Sequence, residues 1–245
     1  MSMSTVSMPV SSSAAATAGG AGVIEIKAPG ASGFPGGLSA PQWFDAVYRD
    51  ARGDAAAVPW ADLRSNPMMV AWLNAEAPGL IRPGSRVVVV GCGLGDDVSE
   101  LANRGYDAVG FDVSPTAVEW ARRRFPGLSA AMLQADLLAL PTRLLRRFDL
   151  VVENYTLQAL PPALREQAAR AVASLACPRG HVLTIASGRD ADEPLDPAAG
   201  PPWPLAAREL TGLMEQAGMR PCRPIDDFLD GEDPPARRLR ALFSR

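Results

Sequence analysis

The sequence predicts an α/β protein in which a mostly parallel sheet of seven strands carries helices on both faces and finishes with an antiparallel C-terminal strand. Three observations lead to this prediction. Residues 87–90 are all valine, as in a strand buried on both faces. This run leads directly into a glycine-rich turn and a helix-like pattern. Further strand-like and helix-like segments then alternate along the chain, which is typical of βαβ units.

Two helices are expected before the first strand. Residues 42–48 place aromatic side chains at helical spacing, so that they share one face. Asn66 and Pro67 form a plausible N-cap and first-turn pair for a second helix. We therefore expect residues 39–80 to form an N-terminal helical lid segment. Residues 1–38 are rich in small and polar side chains and are expected to form a flexible tail ahead of a single domain, 39–245.

The first strand ends in the turn Gly-Cys-Gly-Leu-Gly. Gly91 and Gly93 allow a tight turn and leave room for a ligand against bare main chain, while Cys92 is expected to serve there as a small residue. Asp97 begins the next helix, and Asp112 ends the second strand at roughly the 20-residue offset from which an acid reaches ribose hydroxyls. The pattern predicts a nucleoside-cofactor site, with a plain glycine-rich turn between core elements as the alternative.

The spacing of the glycines indicates which cofactor binds. Dinucleotide folds typically show G-x-G-x-x-G, whereas here G-x-G-x-G is followed by Asp96 and Asp97. These carboxylates would repel a pyrophosphate and attract the ammonium and sulfonium groups of S-adenosylmethionine (SAM). At this point the chain resembles the class I SAM-dependent methyltransferases. The resemblance runs from about Trp43 onward and implies a Rossmann-like fold, SAM as the cofactor, and Asp112 and Val113 among its contacts.

Aromatic residues ahead of the glycine turn narrow the resemblance. Trp43, Tyr48 and Trp60 form a W…Y…PW pattern that is similar to the thiopurine and thiol methyltransferase branch, in which an N-terminal helical segment closes over the cofactor. Aromatic faces also suit a sulfonium, because cation–π attraction contributes about 0.5–2 kcal/mol. The alternative is that these rings only anchor the segment. Trp203, in a Gly-Pro-Pro-Trp segment similar to one of that branch, is expected to line the acceptor pocket.

The elements after Asp112 follow in order. Ser114 and Pro115 are expected to begin a helix that ends in a solvated charged turn, residues 122–124. A third strand, 130–133, leads to Asp136 and Leu137, for which the resemblance implies contacts to adenine; Asp136 would otherwise be a turn residue. A fourth strand, a helix through 164–175, a fifth strand at 180–187 and a helix at 205–217 come next. Two strands, 220–226 and 238–243, complete the sheet.

The fourth strand ends in Glu153, Asn154 and Tyr155. Ligands in open α/β sheets bind beyond the carboxyl ends of the strands, so these residues are expected at the site, with loop filling or helix capping as the alternative. Glu153 and Asn154 are candidate cofactor contacts. Glu153, Tyr155 and Tyr48 are the candidate bases, although a thiol acceptor needs little help to ionise near neutral pH.

Composition excludes several classes of function. With a net charge of −3, the chain lacks the basic character typical of nucleic-acid binding. No run approaches the roughly 20 apolar residues of a membrane span, and three scattered cysteines suit a reducing cytoplasm. No cluster of His and carboxylates indicates a metal site, and His181 at the start of the fifth strand is expected to be structural.

These patterns together predict a cytoplasmic methyltransferase, monomeric or homodimeric, that methylates an S, O or N nucleophile of a small molecule, with specialised metabolites among the acceptors considered. Two alternatives stay open. The same fold could use SAM without methyl transfer, or support a nucleotide-cofactor reductase. The chain could also bind SAM in a regulatory role. Assays that measure the release of S-adenosylhomocysteine in the presence of a panel of acceptors distinguish these possibilities.

Overall fold

The computed structural model describes Phe34 and residues 37–196 and 200–245. The elements alternate between helix and strand through most of this part of the chain. The helices are α1 (Ala40–Asp50), α2 (Pro67–Ala75), α3 (Asp96–Asn103), α4 (Pro115–Arg124), α5 (Thr156–Ala159), α6 (Arg165–Leu175) and α7 (Ala207–Gln216). The strands are β1 (Arg86–Val90), β2 (Asp107–Asp112), β3 (Met132–Gln134), β4 (Phe148–Asn154), β5 (Ala176–Ser187), β6 (Arg220–Pro221), β7 (Asp226–Leu229) and β8 (Arg237–Ser244).

The strands form one twisted sheet in the order β3-β2-β1-β4-β5-β8-β6, with β7 also paired to β8. The first five strands run parallel, and β8 is antiparallel to β5. Strand order reverses between β1 and β4, which both lie at the centre of the sheet. In open α/β sheets ligands bind at such a reversal, beyond the carboxyl ends of the strands.

The predicted mostly parallel sheet with an antiparallel finish is confirmed, with one difference in strand count. The edge predicted as a single strand over residues 220–226 consists of two short strands, β6 and β7, which both pair with β8. Pro221 and Pro224 lie in this stretch. Proline cannot donate to a strand ladder, and so the continuous pairing is interrupted there. The sheet therefore has eight strands.

Alternate valines of β1 face opposite sides of the sheet, as expected for a central strand. Val88 and Val90 belong to a core that packs under α6 and α7. Val87 and Val89 belong to the core on the other face, under α2, α3 and α4. All four side chains are buried. Each buried valine contributes about 1.5–3 kcal/mol relative to an exposed one, which fixes β1 as the centre of the sheet.

Two helix starts predicted from capping residues are confirmed. Asn66 Oδ1 accepts hydrogen bonds from the backbone N–H groups of Met68 at 2.9 Å and Met69 at 3.2 Å. Ser114 Oγ accepts from the backbone N–H of Ala117 at 3.0 Å. These bonds satisfy N–H groups that have no partner within the helix. Helices α2 and α4 consequently begin where the sequence places them.

Phe34 lies within the predicted flexible tail, yet its side chain is buried in the core. Its ring centroid lies 5.5 Å from that of Trp43 and 6.2 Å from that of Trp203. This aromatic anchor gives residue 34 a place in the folded body, contrary to the prediction. Residues 1–33, 35 and 36 of that segment lie outside the described residues, and the single domain 39–245 stays a prediction. Among the described helices, none has the length and apolar character to cross a membrane.

Candidate cofactor and acceptor site

A cavity of about 540 Å³ lies at the carboxyl ends of the central strands, under α1 and the segment that joins α1 to α2. It brings together nearly all the residues that the sequence singles out. These are Trp43, Tyr48, Trp60, Gly91, Cys92, Gly93, Asp97, Asp112, Val113, Asp136, Leu137, Asn154 and Tyr155. Of the predicted site residues, Glu153 and Trp203 are not part of the described lining.

The glycine turn after β1 is closed by contacts from α5 and α1. Gly91 and Gly93 have φ angles of +61° and +49°, which side chains rarely tolerate. A Cβ on Gly91 would lie 2.6 Å from Thr156 Oγ1, and one on Gly93 would lie 3.0 Å from the Tyr48 hydroxyl. Both positions therefore require glycine. Cys92 between them is buried, and burial beside Asp112 raises its thiol pKa well above the ordinary value.

Asp112 connects the end of β2 to the glycine turn. Its Oδ2 accepts a hydrogen bond from the backbone N–H of Gly93 at 3.0 Å, and its Oδ1 accepts from that of Ser114 at 2.9 Å. Burial raises the pKa of Asp112, although these backbone donors oppose the rise. The carboxylate lines the cavity on the β2 side, where a ribose contact is expected; that contact stays a prediction.

The two aspartates at the start of α3 differ in their surroundings. Asp96 forms a bidentate ion pair with Arg124, with N–O distances of 2.6 and 2.7 Å. Asp97 instead accepts hydrogen bonds from the backbone N–H of Asn66 at 2.8 Å and from Asn154 Nδ2 at 2.7 Å. The expected repulsion of anions therefore rests on Asp97, because the charge of Asp96 is compensated. Burial raises the pKa of Asp97.

The charged turn at the end of α4 is solvated only in part: Arg122 and Arg123 are exposed as predicted, whereas Arg124 is half-buried. Arg124 pairs with Asp96 and also donates to the Leu94 carbonyl at 2.8 Å. Arg122 donates twice to the Met132 carbonyl, at 2.7 and 3.1 Å. The carbonyls at the ends of neighbouring segments attract these guanidinium groups. The turn therefore supports both the glycine turn and β3.

Asn154 presents an unsatisfied polar atom at the site. Its Nδ2 donates to Asp97, whereas its Oδ1 is buried and has no hydrogen-bond partner among the described residues. A buried carbonyl oxygen without a partner costs about 1–3 kcal/mol. Because Asn154 lines the cavity, a donor group of a bound ligand is a suitable partner for it.

Asp136 and Leu137 line the cavity where the resemblance places the adenine. Asp136 Oδ1 accepts from the backbone N–H of Leu138 at 2.8 Å and so begins a short 3-10 turn. This contact is the one that a turn residue makes. It leaves the second carboxylate oxygen of Asp136 for another donor.

The structure does not bring Glu153 into the cavity. The side chain is fully buried, and its Oε1 accepts from the backbone N–H groups of Thr156 at 2.8 Å and Leu157 at 2.9 Å. These are helix-capping contacts at the start of α5, as in the alternative interpretation. Burial, only partly opposed by these donors, raises the pKa of Glu153 to about 7. Direct contact with either cofactor or acceptor is contradicted by this position.

The two candidate tyrosines do line the cavity. Tyr48 Oη accepts a hydrogen bond from Trp60 Nε1 at 2.7 Å, and burial raises its pKa well above the ordinary value. Burial also raises the pKa of Tyr155, despite the opposing charge of Arg238, whose guanidinium carbon lies 5.7 Å from the ring centroid. Tyr155 has a φ of +62°, a strained conformation for an aromatic residue and one that clusters at functional sites.

Aromatic rings of the N-terminal segment form one wall of the cavity. Trp43, Phe44 and Trp60 are in mutual contact, with centroid distances of 5.0–5.9 Å. All three line the cavity, and Phe34 packs behind Trp43 and Phe44. The rings thus anchor the segment and also present faces to the site, which accommodates both interpretations.

Trp203 does not line the acceptor pocket as predicted. Its side chain is buried in the core, its backbone N–H donates to the Gln158 carbonyl at 2.7 Å, and its carbonyl accepts from the buried guanidinium of Arg165. Pro201 and Pro202 of the same segment line the cavity instead. The tethered backbone directs the indole inward, away from the site.

Several residues that line the cavity were not predicted as site residues from the sequence. Phe44, Asn66, Gln158, Ser187, Glu232 and Arg238 belong to this group. Ser187 ends β5, so the rule that sites lie beyond strand ends could have indicated it. Arg238 and Glu232 come from the C-terminal hairpin, which reaches the cavity only through its antiparallel pairing with β5. No local signal marks them.

Comparison with known protein families places this site in context. The family model for thiopurine S-methyltransferase matches residues 50–232. A probable thiol methyltransferase 2 from Arabidopsis thaliana is 29% identical over 180 residues, which cover 72% of this chain and 75% of the relative. Thiocyanate methyltransferase 1 from Brassica oleracea is 26% identical over 168 residues, covering 66% of this chain and 69% of the relative.

Solved structures agree on the fold. A structure that concerns conversion of a disulfide bond into a thioacetal group during echinomycin biosynthesis is 26% identical, with a TM-score of 0.66 over 84% of this chain and 92% of that one. The Burkholderia thailandensis 1,6-didemethyltoxoflavin-N1-methyltransferase, bound to S-adenosylhomocysteine, is 20% identical, with a TM-score of 0.64 over 85% and 91%. The predicted Rossmann-like fold is confirmed.

Proposed function

Since the chain belongs to the thiopurine S-methyltransferase family and is a SAM-dependent methyltransferase of small molecules, we propose that its acceptor atom is the sulfur of a small thiol. The thiol reacts as its thiolate. The observation that carries this proposal is the lack of a suitable general base among the described residues that line the cavity. Such a site favours a nucleophile that ionises with little help.

The residues present fit SAM on features of the cavity itself. Gly91 and Gly93 leave main chain bare at the turn, and Asp112 offers a carboxylate to hydroxyl donors. Asn154 Oδ1 lacks a partner, and Asp97 supplies negative charge nearby. We propose that these residues hold the cofactor together with the aromatic wall of Trp43, Phe44 and Trp60. When bound, SAM supplies an electrophilic methyl group on a sulfonium.

The candidate bases are poorly suited to removing a proton from an alcohol. Tyr48 and Tyr155 are phenols, which are neutral near pH 7, and burial raises the pKa of both further. Glu153 is sequestered under α5. His181, the single histidine of the sequence, pairs with Leu150 in the middle of the sheet and is not part of the described lining.

Four of the six carboxylates in the described lining are similarly engaged, and the other two, Asp62 and Glu232, are exposed to solvent. Asp97 and Asp112 accept backbone hydrogen bonds, Asp96 pairs with Arg124, and Asp136 accepts from Leu138. A thiol acceptor needs none of them as a base, because its ordinary pKa near 8.5 already leaves a fraction of it as the reactive thiolate at neutral pH. Two relatives are named for the methylation of a thiol and of thiocyanate, both sulfur-containing acceptors, which supports the proposal.

Catalysis then depends on alignment. In-line displacement requires that nucleophile, methyl carbon and leaving sulfur lie on one axis. Holding the reactants in this orientation lowers the activation barrier by about 7–11 kcal/mol. Residues of the N-terminal segment line the cavity, as do Pro201 and Pro202, and these contacts are available to position the acceptor. Burial strengthens the attraction between a thiolate and a sulfonium.

Three acceptors that share a phenyl ring and differ in the acceptor atom test the proposal. Benzenethiol, phenol and aniline are incubated with methyl-labelled SAM, and both S-adenosylhomocysteine release and label transfer are measured. We expect benzenethiol to exceed phenol in kcat/KM by about tenfold or more, because a phenol pKa near 10 leaves roughly one molecule in a thousand ionised at pH 7. Equal or greater activity with phenol or aniline would overturn the thiol assignment. No release with any acceptor would favour a SAM-binding role without methyl transfer.

A further inference from the structure

Arg238 brings a guanidinium group to the side of the cavity where β4 and β5 end. Its side chain is only 15% exposed. Its Nη1 donates to Ser187 Oγ at 3.0 Å, and its guanidinium carbon lies 5.7 Å from the Tyr155 ring centroid. Arg238, Ser187 and Tyr155 all line the cavity. The glycine turn and Asp112 belong to β1 and β2, so this cluster lies on the acceptor side.

Two carboxylates pair with Arg238, and they differ in how firmly the structure holds them. Asp230 is 12% exposed, lies 2.6 Å from Nε, and also accepts the backbone N–H groups of Glu232 and Ala236. It is therefore built into the turn between β7 and β8. Glu232 is 61% exposed and lies 3.2 Å from Nη2. An exposed ion pair of this kind contributes little to stability, so Glu232 is readily displaced.

Glu232 also lines the cavity, which makes its carboxylate a stand-in for a ligand group. Its position shows that the guanidinium can donate a hydrogen bond to a carboxylate at the edge of the cavity. If an incoming carboxylate replaces that of Glu232, the number of charges around Arg238 is unchanged, because one anion leaves for solvent as another enters. Arginine is well suited to this exchange, since its fork binds carboxylates with two parallel hydrogen bonds.

We propose that Arg238 and Ser187 form a subsite for a carboxylate carried by the acceptor, and that Glu232 occupies this subsite until the acceptor binds. This inference rests on the proposed thiol methylation. It narrows the acceptor class to small thiols that bear a carboxylate away from the reacting sulfur. Asp230 keeps Arg238 oriented throughout, while the exposed side chain of Glu232 moves into solvent.

Two acceptors of matched shape test the subsite. 4-Mercaptobenzoate carries a carboxylate where 4-methylbenzenethiol carries a methyl group. The readout is the ratio of kcat/KM for the acid to that for the methyl compound. In Glu232→Gln we expect this ratio to rise about two- to fivefold, because the weak internal competitor has lost its charge. Glu166→Gln, which removes an exposed partner of Arg170 on α6, is the matched control and retains the wild-type ratio.

A second variant tests Arg238 itself. Arg238→Lys retains a charge for Asp230 but loses the fork, so we expect the ratio to fall. A ratio that is unchanged in both Glu232→Gln and Arg238→Lys, or that falls in Glu232→Gln, would overturn the proposal.

Binding of 4-(methylthio)benzoate, measured by calorimetry with S-adenosylhomocysteine present, separates this inference from the proposed function. This ligand needs no turnover. Tighter binding to Glu232→Gln than to wild type supports the subsite even if no thiol is methylated. Equal binding contradicts the subsite even if thiols are methylated.

Discussion

Glu153 is an ionisable group that the fold holds away from water. Its Oε1 caps α5, whereas Oε2 has no hydrogen-bond partner of ordinary geometry within the part of the chain that the structure describes. The Thr184 hydroxyl lies near enough to lower the pKa, but burial dominates and raises it to about 7 from 4.5. A carboxyl group in this position is protonated in slightly acidic solution and costs stability once it ionises.

This placement predicts a pH-dependent stability difference between wild type and Glu153→Gln. The folded pKa lies above the unfolded one, so the native state binds the extra proton between about pH 4.5 and 7. The stabilisation is fully present below pH 4.5 and is lost as the pH rises through 7. Relative to Glu153→Gln, wild type should lose on the order of 3 kcal/mol in free energy of unfolding between pH 4 and pH 8.

Urea unfolding at several pH values measures this difference. Glu119→Gln, an exposed position on α4, controls for the loss of a charge. A difference between wild type and Glu153→Gln that is constant with pH, or that favours wild type as the pH rises, would show that Glu153 is not held as the structure has it.

Single residues were predictable where their signal is local. Gly91, Gly93 and Asp112 follow from spacing along one βαβ unit, and the cavity contains all three. Adjacent residues of a strand point to opposite faces, and the sequence does not show which of Glu153 and Asn154 faces the cavity. Only Asn154 reaches the cavity. Trp203 was misplaced since its direction is set by Arg165, on a helix far away in sequence.

At the scale of elements, residues 39–80 form an N-terminal cover, which is attached by apolar packing of α1 and α2 and also by a few polar contacts. Asp45 Oδ1 on α1 accepts from Ser114 Oγ at 2.8 Å and from the backbone N–H of Thr116 at 3.1 Å. Ser65 Oγ donates to the Asp96 carbonyl at 3.1 Å. These bonds place the aromatic wall over the glycine turn.

The attachment predicts that Asp45→Ala loosens the cover. Loss of two hydrogen bonds to α4 should lower the free energy of unfolding by about 1–3 kcal/mol and weaken S-adenosylhomocysteine binding several-fold. Cleavage within the cover by a broad-specificity protease should become faster. Asp50→Ala, at the exposed end of the same helix, is the matched control. Equal protection and equal affinity in the two variants would contradict a fastening role for Asp45.

Elements were predicted well where the pattern is long and poorly at the sheet edge. The caps of α2 and α4 and the valine strand β1 depend on neighbours in sequence. The interruption between β6 and β7 depends on how prolines meet β8, a contact between distant segments. Pairing across the sheet leaves no short-range signature, so the contribution of this hairpin to the cavity could not be predicted.

At the scale of the whole molecule, the site is assembled from segments that are far apart in sequence. In the proposed arrangement, most of the cofactor half comes from β1, β2 and the turns that follow them, with Asn154 and the aromatic wall added, whereas the acceptor half comes from Tyr155, the end of β5 and the C-terminal hairpin. The first half is one compact motif, which explains why the cofactor was predictable. The second half contains residues from distant parts of the chain, and its polar groups come together only when the whole sheet has formed.

The central claim is that this cavity, organised by the glycine turn and Asp112, holds the SAM-type cofactor. Calorimetric titration with S-adenosylhomocysteine tests it most directly, with Asp112→Asn, Gly93→Ala and, as the matched control at the exposed opposite end of β2, Asp107→Asn. Circular dichroism melts verify that each variant is folded. We predict that Asp107→Asn binds like wild type, while Asp112→Asn and Gly93→Ala each lose about ten- to a hundredfold in affinity. Wild-type affinity in both Asp112→Asn and Gly93→Ala would contradict the account.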